Sequence, residues 1–553
     1  MARIIIDNNL VIRYDGAVES KYWSLLSGYL KTKYGDKEFQ NKDDVQEILK
    51  DGFDYLIETF QQLISAENSF TFFLYVYYLH QESLQIWEKS MSGLKLTKIN
   101  ETDFALYRRI LKLVLEQGCD QDLLWGKVPQ TAKEVNRIER IVQELIYLGE
   151  CLYMFAEHIA YQSMVEECQQ ISFDREGNLL IDWRHHYGKA YEQLSPSLAE
   201  QYEGATFDQN AVQEFKLKIE ECFKIKYDEA FGLIFQVQKH HNPNNPQFQT
   251  IEPYVLPLNL EASFNTSIEL ATIFYEGLSI SKDNKLSLKD AILKPHSTQR
   301  YMFRPILIYN VGGEKRALVS QEKVGESILV LGTNAMHWNN LLEEWLSLPC
   351  MKSFIDKKGL EHDKILESEI EEIVKSKGLL YKRNVTTFSQ GKGKDNINID
   401  NDIAGEIDLI VIDENRKLIY VADVKYNRAR YEAVGYRMDY SQFINPLKPK
   451  KSYETKLSKK VNWISHNLKV VEKDFRLIYN REDILLDDYM VEGIFIINTP
   501  TFYMFNGNFK TLTLKRLNDF FDGTEQFPTL VMKYQDGAEE KDVLINHPYF
   551  RKP

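Results

Sequence analysis

Apolar positions in the first third of the chain recur at the spacing of one helix face after another. After a short extended lead-in carrying Ile4–Ile6 and Leu10–Ile12, helices are expected over about 19–34, 42–65, 68–92, 102–118 and 131–170. Thr131 and Glu134 fit a capping box at the start of the last of these. Asn100–Asp103 and Gly118–Gln121 read as breaks. The run from Phe70 to Leu79 is apolar all round. Its aromatic rings would suit a base-stacking platform, but a helix without a polar face belongs in a core.

Beyond residue 170 the period shortens and mixes. Asn178–Trp183 reads as a strand, 212–240 as helical with a break near Tyr227, and His240–Pro246 as a loop. Pro305–Val319 reads as a hairpin about Gly312-Gly313. Ser327–Leu331 reads as a further strand and Asn339–Leu346 as a short helix. In the last third, two β-branched runs, Ile407–Ile412 and Leu418–Val424, flank the polar cluster Asp413–Lys417, the pattern of a β-hairpin. A helix with an apolar stripe at Leu366, Ile370, Ile373 and Val374 precedes it and stops at Gly378. Arg428–Phe443 looks helical, Phe475–Tyr479 and Val491–Ile497 look like strands, and Leu514–Phe521 looks like a helix. The fold class is multidomain. It comprises a mainly α-helical region over 1–170, a mixed α+β region over 171–350 and an α/β domain with a mixed central sheet over 351–553.

Composition supports packed domains. The chain has 553 residues, 44 % hydrophobic and 12 % aromatic, which suits two to four domains and excludes disorder over most of the length. A net charge of −13 excludes a protein that coats nucleic acid non-specifically, although a local basic groove would suffice for phosphate contact. Cys119, Cys151, Cys168, Cys222 and Cys350 are scattered without a zinc spacing, which predicts reduced thiols and a cytoplasmic location. Met1–Asp7 lacks the apolar core of a signal peptide, and no run is long enough to span a bilayer. The adjacent pairs His185-His186 and His240-His241 have no carboxylate at ligand spacing. Gly312-Gly313-Glu314-Lys315 lacks the upstream residues of a phosphate loop, so an energy-driven step would need a nucleotide-hydrolysing partner.

The chemistry is concentrated in the hairpin. Side chains alternate across a strand, so Asp423 and Lys425 share one face and Val424 takes the other. Asp408 stands in the first strand between Ile407 and Leu409. A carboxylate among such neighbours is costly to bury unless it is paired or holds a metal. A divalent cation is the simplest reason for two of them, and hard oxygen ligands suit Mg²⁺ or Mn²⁺. Lys425 would then hold the attacking water and offset developing charge. The bland alternative is an edge hairpin with a salt bridge.

The order Asp408, about 15 residues, then Asp423-Val424-Lys425 resembles the PD-(D/E)XK, or restriction-endonuclease-like, superfamily. Gly405–Ile410 is similar to its Holliday-junction-resolvase-like branch, and Ala422–Tyr426 to the nuclease subunit of modification-dependent restriction systems. The resemblance covers about 361–443 and implies a restriction-endonuclease-like domain with Mg²⁺ at Asp408, Asp423 and the backbone carbonyl of Val424. It also implies a Glu on the preceding helix, for which Glu367 borders the core-facing stripe and Glu371 is the second choice. Asp423 replaces the more frequent Glu.

Basic residues near the hairpin are candidates for nucleic-acid contact: Lys382, Arg383, Lys392, Lys394, Arg428, Lys448, Lys450 and Lys451, with Gln442 facing the site. Loop 391–396 reads equally as a solvated turn or a phosphate contact, and the cluster 446–460 reads first as a solvated charge run and second as a contact to the nucleic-acid backbone. The function expected is metal-dependent hydrolysis of phosphodiester bonds, DNA before RNA, in a bacterial restriction or phage-defence effector. The alternatives are a non-cleaving module that binds nucleic acid or protein, or the nuclease subunit of a motor-driven complex. A homodimer is common for such folds, and no membrane partner is expected.

Overall fold

The computed structural model describes residues 3–546 except 7–8, 13, 94–100, 165–167, 185–208, 237–243, 339, 393–394, 401–403, 429, 431, 445–450, 526–528 and 537–538. The chain is mixed α/β and divides into two compact units. The first comprises 1–159, 170–182 and 205–358, and the second 160–169, 183–204 and 359–553. The division expected near residue 170 therefore falls where the chain returns to the first unit, and most of the helical and mixed regions belong to that one unit. Among the described residues no helix is long and apolar enough to cross a membrane.

The first unit opens with paired strands β1 (Arg3–Ile6) and β2 (Asn9–Ile12) and helices α1 (Gly16–Tyr34), α2 (Lys42–Ser65), α3 (Phe70–Met91), α4 (Glu101–Gly118) and α5 (Ala132–Met164). Their bounds follow the apolar period closely, because capping residues mark the ends. Asp15 and Asn41 accept backbone N–H groups at the starts of α1 and α2. Thr131 and Glu134 make the reciprocal capping bonds, at 3.0 and 3.3 Å. Helix α5 stops short of the expected 170, because Gln169–Phe173 forms strand β4 instead. Phe70, Phe72, Phe73, Val76 and Tyr77 are all fully buried, so most of the aromatic run of α3 is core, while Tyr75 is half-buried and Tyr78 is exposed.

Strand β3 (Asp122–Leu123) precedes α5, and β5 (Leu179–Trp183) pairs with β4. Next come α6 (Gln209–Phe223), α7 (Tyr227–Phe235), α8 (Val255–Ser263), α9 (Ile268–Gly277), β6 (Ser279–Ile280) and α10 (Leu288–Leu293). The expected hairpin is β7 (Ile306–Val311) and β8 (Glu314–Leu318), turning through Gly312 and Gly313 at φ 62° and 83°. The strand expected at 327–331 is instead part of helix α11 (Gln321–Trp338). Ser327 and Leu331 are buried four residues apart while Leu329 is exposed, a helical rhythm inside an apolar run. Helix α12 (Glu343–Leu346) follows. Cys222 and Cys350 are disulfide-bonded, with Cα atoms 5.8 Å apart, which corrects the expectation of five reduced thiols; Cys119, Cys151 and Cys168 are free and buried. Scattered spacing carried no trace of this pair, since packing alone brings residues 128 apart together.

Helix α13 (Pro349–Ser376) runs on into the second unit, where β9 (Leu380–Val385), β10 (Thr387–Phe388), β11 (Ile397–Asn398), β12 (Ile407–Asp413) and β13 (Leu418–Lys425) follow. Three helices, α14 (Ala433–Ile444), α15 (Tyr453–His466) and α16 (Leu468–Tyr479), then lead to β14 (Met490–Ile497). The strand expected at 475–479 is the end of α16: Val471 and Phe475 are buried one turn apart, and Leu477 and Ile478 point to solvent. Short α17 (Tyr503–Asn506), β15 (Lys510–Thr513), α18 (Leu514–Asp522) and the paired strands β16 (Thr529–Asp536) and β17 (Glu539–Asn546) complete it.

The five-stranded sheet has the order β15-β14-β13-β12-β9. Strand β12 is antiparallel to both β9 and β13, whereas β13, β14 and β15 run parallel to one another. One face packs Leu409, Val411, Tyr420, Ala422, Ile494 and Ile496 against Leu366, Ile370 and Val374 of α13 and Leu517, Phe520 and Phe521 of α18. The other face is covered by α14 and α15, with the Phe443 ring edge-on to Phe495 at 5.0 Å.

Candidate active site

The β12–β13 hairpin sets the geometry. Asp413 accepts the backbone N–H groups of Asn415 and Arg416 at 3.1 and 3.0 Å, which closes the loop, and Lys417 takes a left-handed φ of 55°. The loop fixes the register Asp413↔Leu418 through Leu409↔Ala422. One further step along that register puts Asp408 opposite Asp423. Leu409 and Ala422 turn toward α13, so Asp408, Asp423 and Lys425 turn to the face under α14 and α15.

Four charges meet there. Lys425 Nζ lies 2.7 Å from Asp423 Oδ2 and 3.7 Å from Asp408 Oδ2, and it donates to Val424 O at 3.0 Å. Lys460 Nζ, from the middle of α15, lies 2.5 Å from Asp423 Oδ1 and 3.9 Å from Asp408 Oδ1. The Val424 N–H donates to Asp408 Oδ2 at 2.7 Å. Tyr453 lies below Lys425, whose Nζ is 5.2 Å from the ring centre, and the Tyr453 hydroxyl donates to Gln442 Oε1 at 2.9 Å. Gln442 thus reaches the site through a tyrosine. Asp423 is almost wholly buried, yet Asp408 and Lys425 keep 24 % and 21 % of their side-chain surface in solvent, so the cluster has an open side.

The two carboxylates differ in electrostatic state. Burial pushes the Asp408 carboxyl up to about 6, and the charge of Asp423 adds to this. Burial pushes Asp423 the same way, but Lys425 and Lys460 outweigh it and hold that carboxyl below the usual range. Burial opposes the charge of Lys425, and Asp423 and Asp408 overcome it, so its ammonium is held more firmly than usual. One aspartate takes both lysines, and the other is left to its surroundings.

Other expected residues fall elsewhere. Glu367 pairs with Arg383 at 2.6 Å and accepts from Asn384 at 3.5 Å. Arg383 stands opposite Leu409 across β9 and β12, which places this pair on the α13 face rather than beside Asp408 and Asp423. Glu371 also bonds Arg383, and Tyr381 and Lys375 bond it at 2.7 Å each. The α13 carboxylate that feels the charge of Lys425 is exposed Asp363, one turn before Glu367. Its carboxyl is raised by partial desolvation and by Glu367, against Lys425. Lys382 is tied to buried Asp474 and to Thr387 O, both at 2.7 Å. Lys382 and Arg383 are therefore engaged in internal ion pairs. Lys392 and Lys451 are exposed and Arg428 is half-buried. Lys394, Lys448, Lys450 and the two histidine pairs lie outside the described residues.

Lys460 is the residue that sequence reading missed. In the sequence it closes the basic run 446–460, but in α15 it is buried in register with Leu457 and Ile464 on the sheet-facing stripe. A lysine three residues after one core leucine and four before a core isoleucine was the available signal.

Asp408 and Asp423 suit a hard divalent cation: two carboxylates face each other across the hairpin beside its open side, although Lys425 already holds Asp423 Oδ2 at 2.7 Å. Among the described residues no group of three or more histidine, cysteine or carboxylate side chains is arranged around a cation, so waters or the Val424 carbonyl would complete the shell. Comparison with protein-family models, curated proteins and solved structures finds no match to this chain.

Proposed function

We propose that the second unit is a metal-dependent nuclease that hydrolyses phosphodiester bonds in nucleic acid, DNA before RNA. One observation carries the reading: Asp408, Asp423 and Lys425 converge at one place, where the sheet changes from antiparallel to parallel, with solvent access on one side. A helix before the hairpin and a mixed sheet match what the resemblance to PD-(D/E)XK enzymes implies, and the preference for DNA rests on that resemblance.

Asp408 and Asp423 would hold Mg²⁺ or Mn²⁺, with Val424 O available beside them. The cation would neutralise the phosphate and lower the pKa of bound water. Lys425 stands between the two aspartates, where its ammonium can orient the attacking water and oppose charge building on phosphorus-bound oxygens. Asp423 is fixed by two ammonium groups, so its position is set before substrate arrives. Lys392, Arg428 and Lys451 would meet the nucleic-acid backbone.

A non-cleaving module is favoured by one observation, the neutralisation of Asp423 by two lysines. Mg²⁺- or Mn²⁺-dependent cutting of plasmid and single-stranded DNA by wild type, lost in Asp408→Ala, supports the nuclease. DNA binding without cutting under any divalent metal would replace it with the module. Cutting that appears only on adding a nucleotide-hydrolysing partner would place the chain in a motor-driven complex.

A further inference from the structure

Lys460 does more than add charge. Its ammonium occupies Asp423 Oδ1 at 2.5 Å and leans toward Asp408 Oδ1 at 3.9 Å. These are the oxygens a divalent cation would need. The side chain is 8 % exposed, and its Cα lies on the packed face of α15 between Leu457 and Ile464, so the ammonium is not released to bulk water and exchanges Asp423 only for another anion in the site. Lys425 differs: it keeps 21 % exposure and begins at the end of β13.

Charge counting gives the consequence. Asp408, Asp423, Lys425 and Lys460 sum to zero. A divalent cation added to that set brings two uncompensated positive charges into a largely desolvated place, which is strongly opposed at low effective dielectric. A phosphodiester group of the substrate offsets one of those two charges and gives Lys460 an alternative anion. We propose that Lys460 is a positioning residue that competes with the divalent cation for Asp423, so that cation binding is weak until a nucleic-acid phosphate enters and draws the lysine away. The inference rests on the nuclease reading. By linkage, the phosphate and the cation then strengthen each other's binding by the same factor.

The test is calorimetric titration of Mn²⁺ into the full chain, with and without a short DNA duplex, under conditions where cleavage is not the readout. Wild type is expected to bind Mn²⁺ weakly alone and more tightly with DNA. Lys460→Met is expected to bind Mn²⁺ at least about tenfold more tightly without DNA and to lose most of the DNA-induced gain. Lys460→Arg, which keeps the charge, should behave like wild type, and Lys460→Gln repeats the neutral case if the methionine variant unfolds. Equal Mn²⁺ affinity in wild type and in both neutral variants would overturn the competition while leaving the nuclease reading intact. Absence of any Mn²⁺ binding that Asp408→Asn removes, with DNA present, would overturn both.

Discussion

Two lysine–carboxylate clusters, one in each unit, use the same groups to opposite ends. In the first unit Lys112 of α4 and Lys323 of α11 both bond Glu326, the latter at 2.5 Å, near a fully buried His80 whose ring nitrogens make no hydrogen bond among the described residues. Lys323 has no exposed surface and also donates to Met302 O at 3.3 Å. In the second unit two lysines meet two aspartates, with one side open to solvent. Two cations sharing one anion over-compensate it. Burial raises Glu326, but Lys112 and Lys323 hold it far below the usual carboxylate range, whereas burial brings Lys112 down to about 7 despite Glu326. In the open cluster the unbalanced member is an acid, Asp408. A sealed cluster of this kind holds helices together, and a cluster with a raised, reachable carboxyl is the arrangement that chemistry uses.

That contrast can be broken most directly at its two carboxylates. Asp408→Ala should lower metal-dependent cleavage by about a thousandfold, as should chelation of the metal, without lowering the thermal midpoint. Plasmid nicking followed by gel, beside a melting curve, checks both halves. Glu326→Gln should do the reverse. Two buried lysines lose their anion, and denaturant unfolding should show a loss of about 3–5 kcal/mol, with unchanged turnover per folded molecule. A cleavage defect in folded Glu326→Gln, larger than its loss of folded protein, would erase the distinction.

The pH dependence sharpens it further. Asp408 titrates in the folded protein near 6, above its ordinary value, so the folded state binds the proton more tightly than the unfolded chain. Its contribution to stability therefore falls as pH rises from about 4 through about 6. With chelator present, Asp408→Asn should be more stable than wild type at pH about 7 by about 1–2 kcal/mol, and the gap should close toward pH about 4. Glu326 has the opposite sign, since its folded value is depressed: its stabilisation is present above the ordinary carboxylate range and is lost in acid. A pH series of denaturant melts on the Asp408→Asn and Glu326→Gln variants separates the two, and parallel curves would show that the clusters do not differ as argued.

The smallest effect is expected at Lys112. Replacing it by Met leaves Lys323 and Glu326 as a one-to-one pair and removes a cation that burial already disfavours. Stability at pH about 7 should stay within about 1 kcal/mol of wild type in the same denaturant assay. A loss as large as that of Glu326→Gln would mean that both lysines are required as counter-ions.

Much of the chain could be read in advance where a signal was local. Helices α1 to α5, the Gly312-Gly313 hairpin and the β12–β13 hairpin announced themselves by period, capping and turn residues, whereas α8, α9 and α10 carried no such expectation. The reading failed where an apolar run had two interpretations. Ser327–Leu331 and Phe475–Tyr479 are rich in strand-forming residues, yet each lies in a helix that buries one face and turns Leu329, or Leu477 and Ile478, to solvent. At the candidate site, Asp408, Asp423 and Lys425 were legible because three charges in apolar strands violate the pattern around them. Lys460 was not, because the basic residues just before it concealed its place on a core stripe. The resemblance implies a Glu on the helix and helical spacing points to Glu367, but its pairing with Arg383 from β9 is not visible in that spacing.

Alternation with a period of two, and a loop short enough to fix register, were written into residues 405–426 themselves. They determined that two aspartates and a lysine would share one face of a hairpin. Which groups arrive opposite that face from residues far along the chain was decided by tertiary packing: Lys460 from α15 on Asp423, Arg383 on Glu367, Cys350 on Cys222. The reason is geometric. A strand's own period fixes where its side chains point, whereas what they meet depends on how separate elements stack, and that is settled by the buried surface of the whole unit.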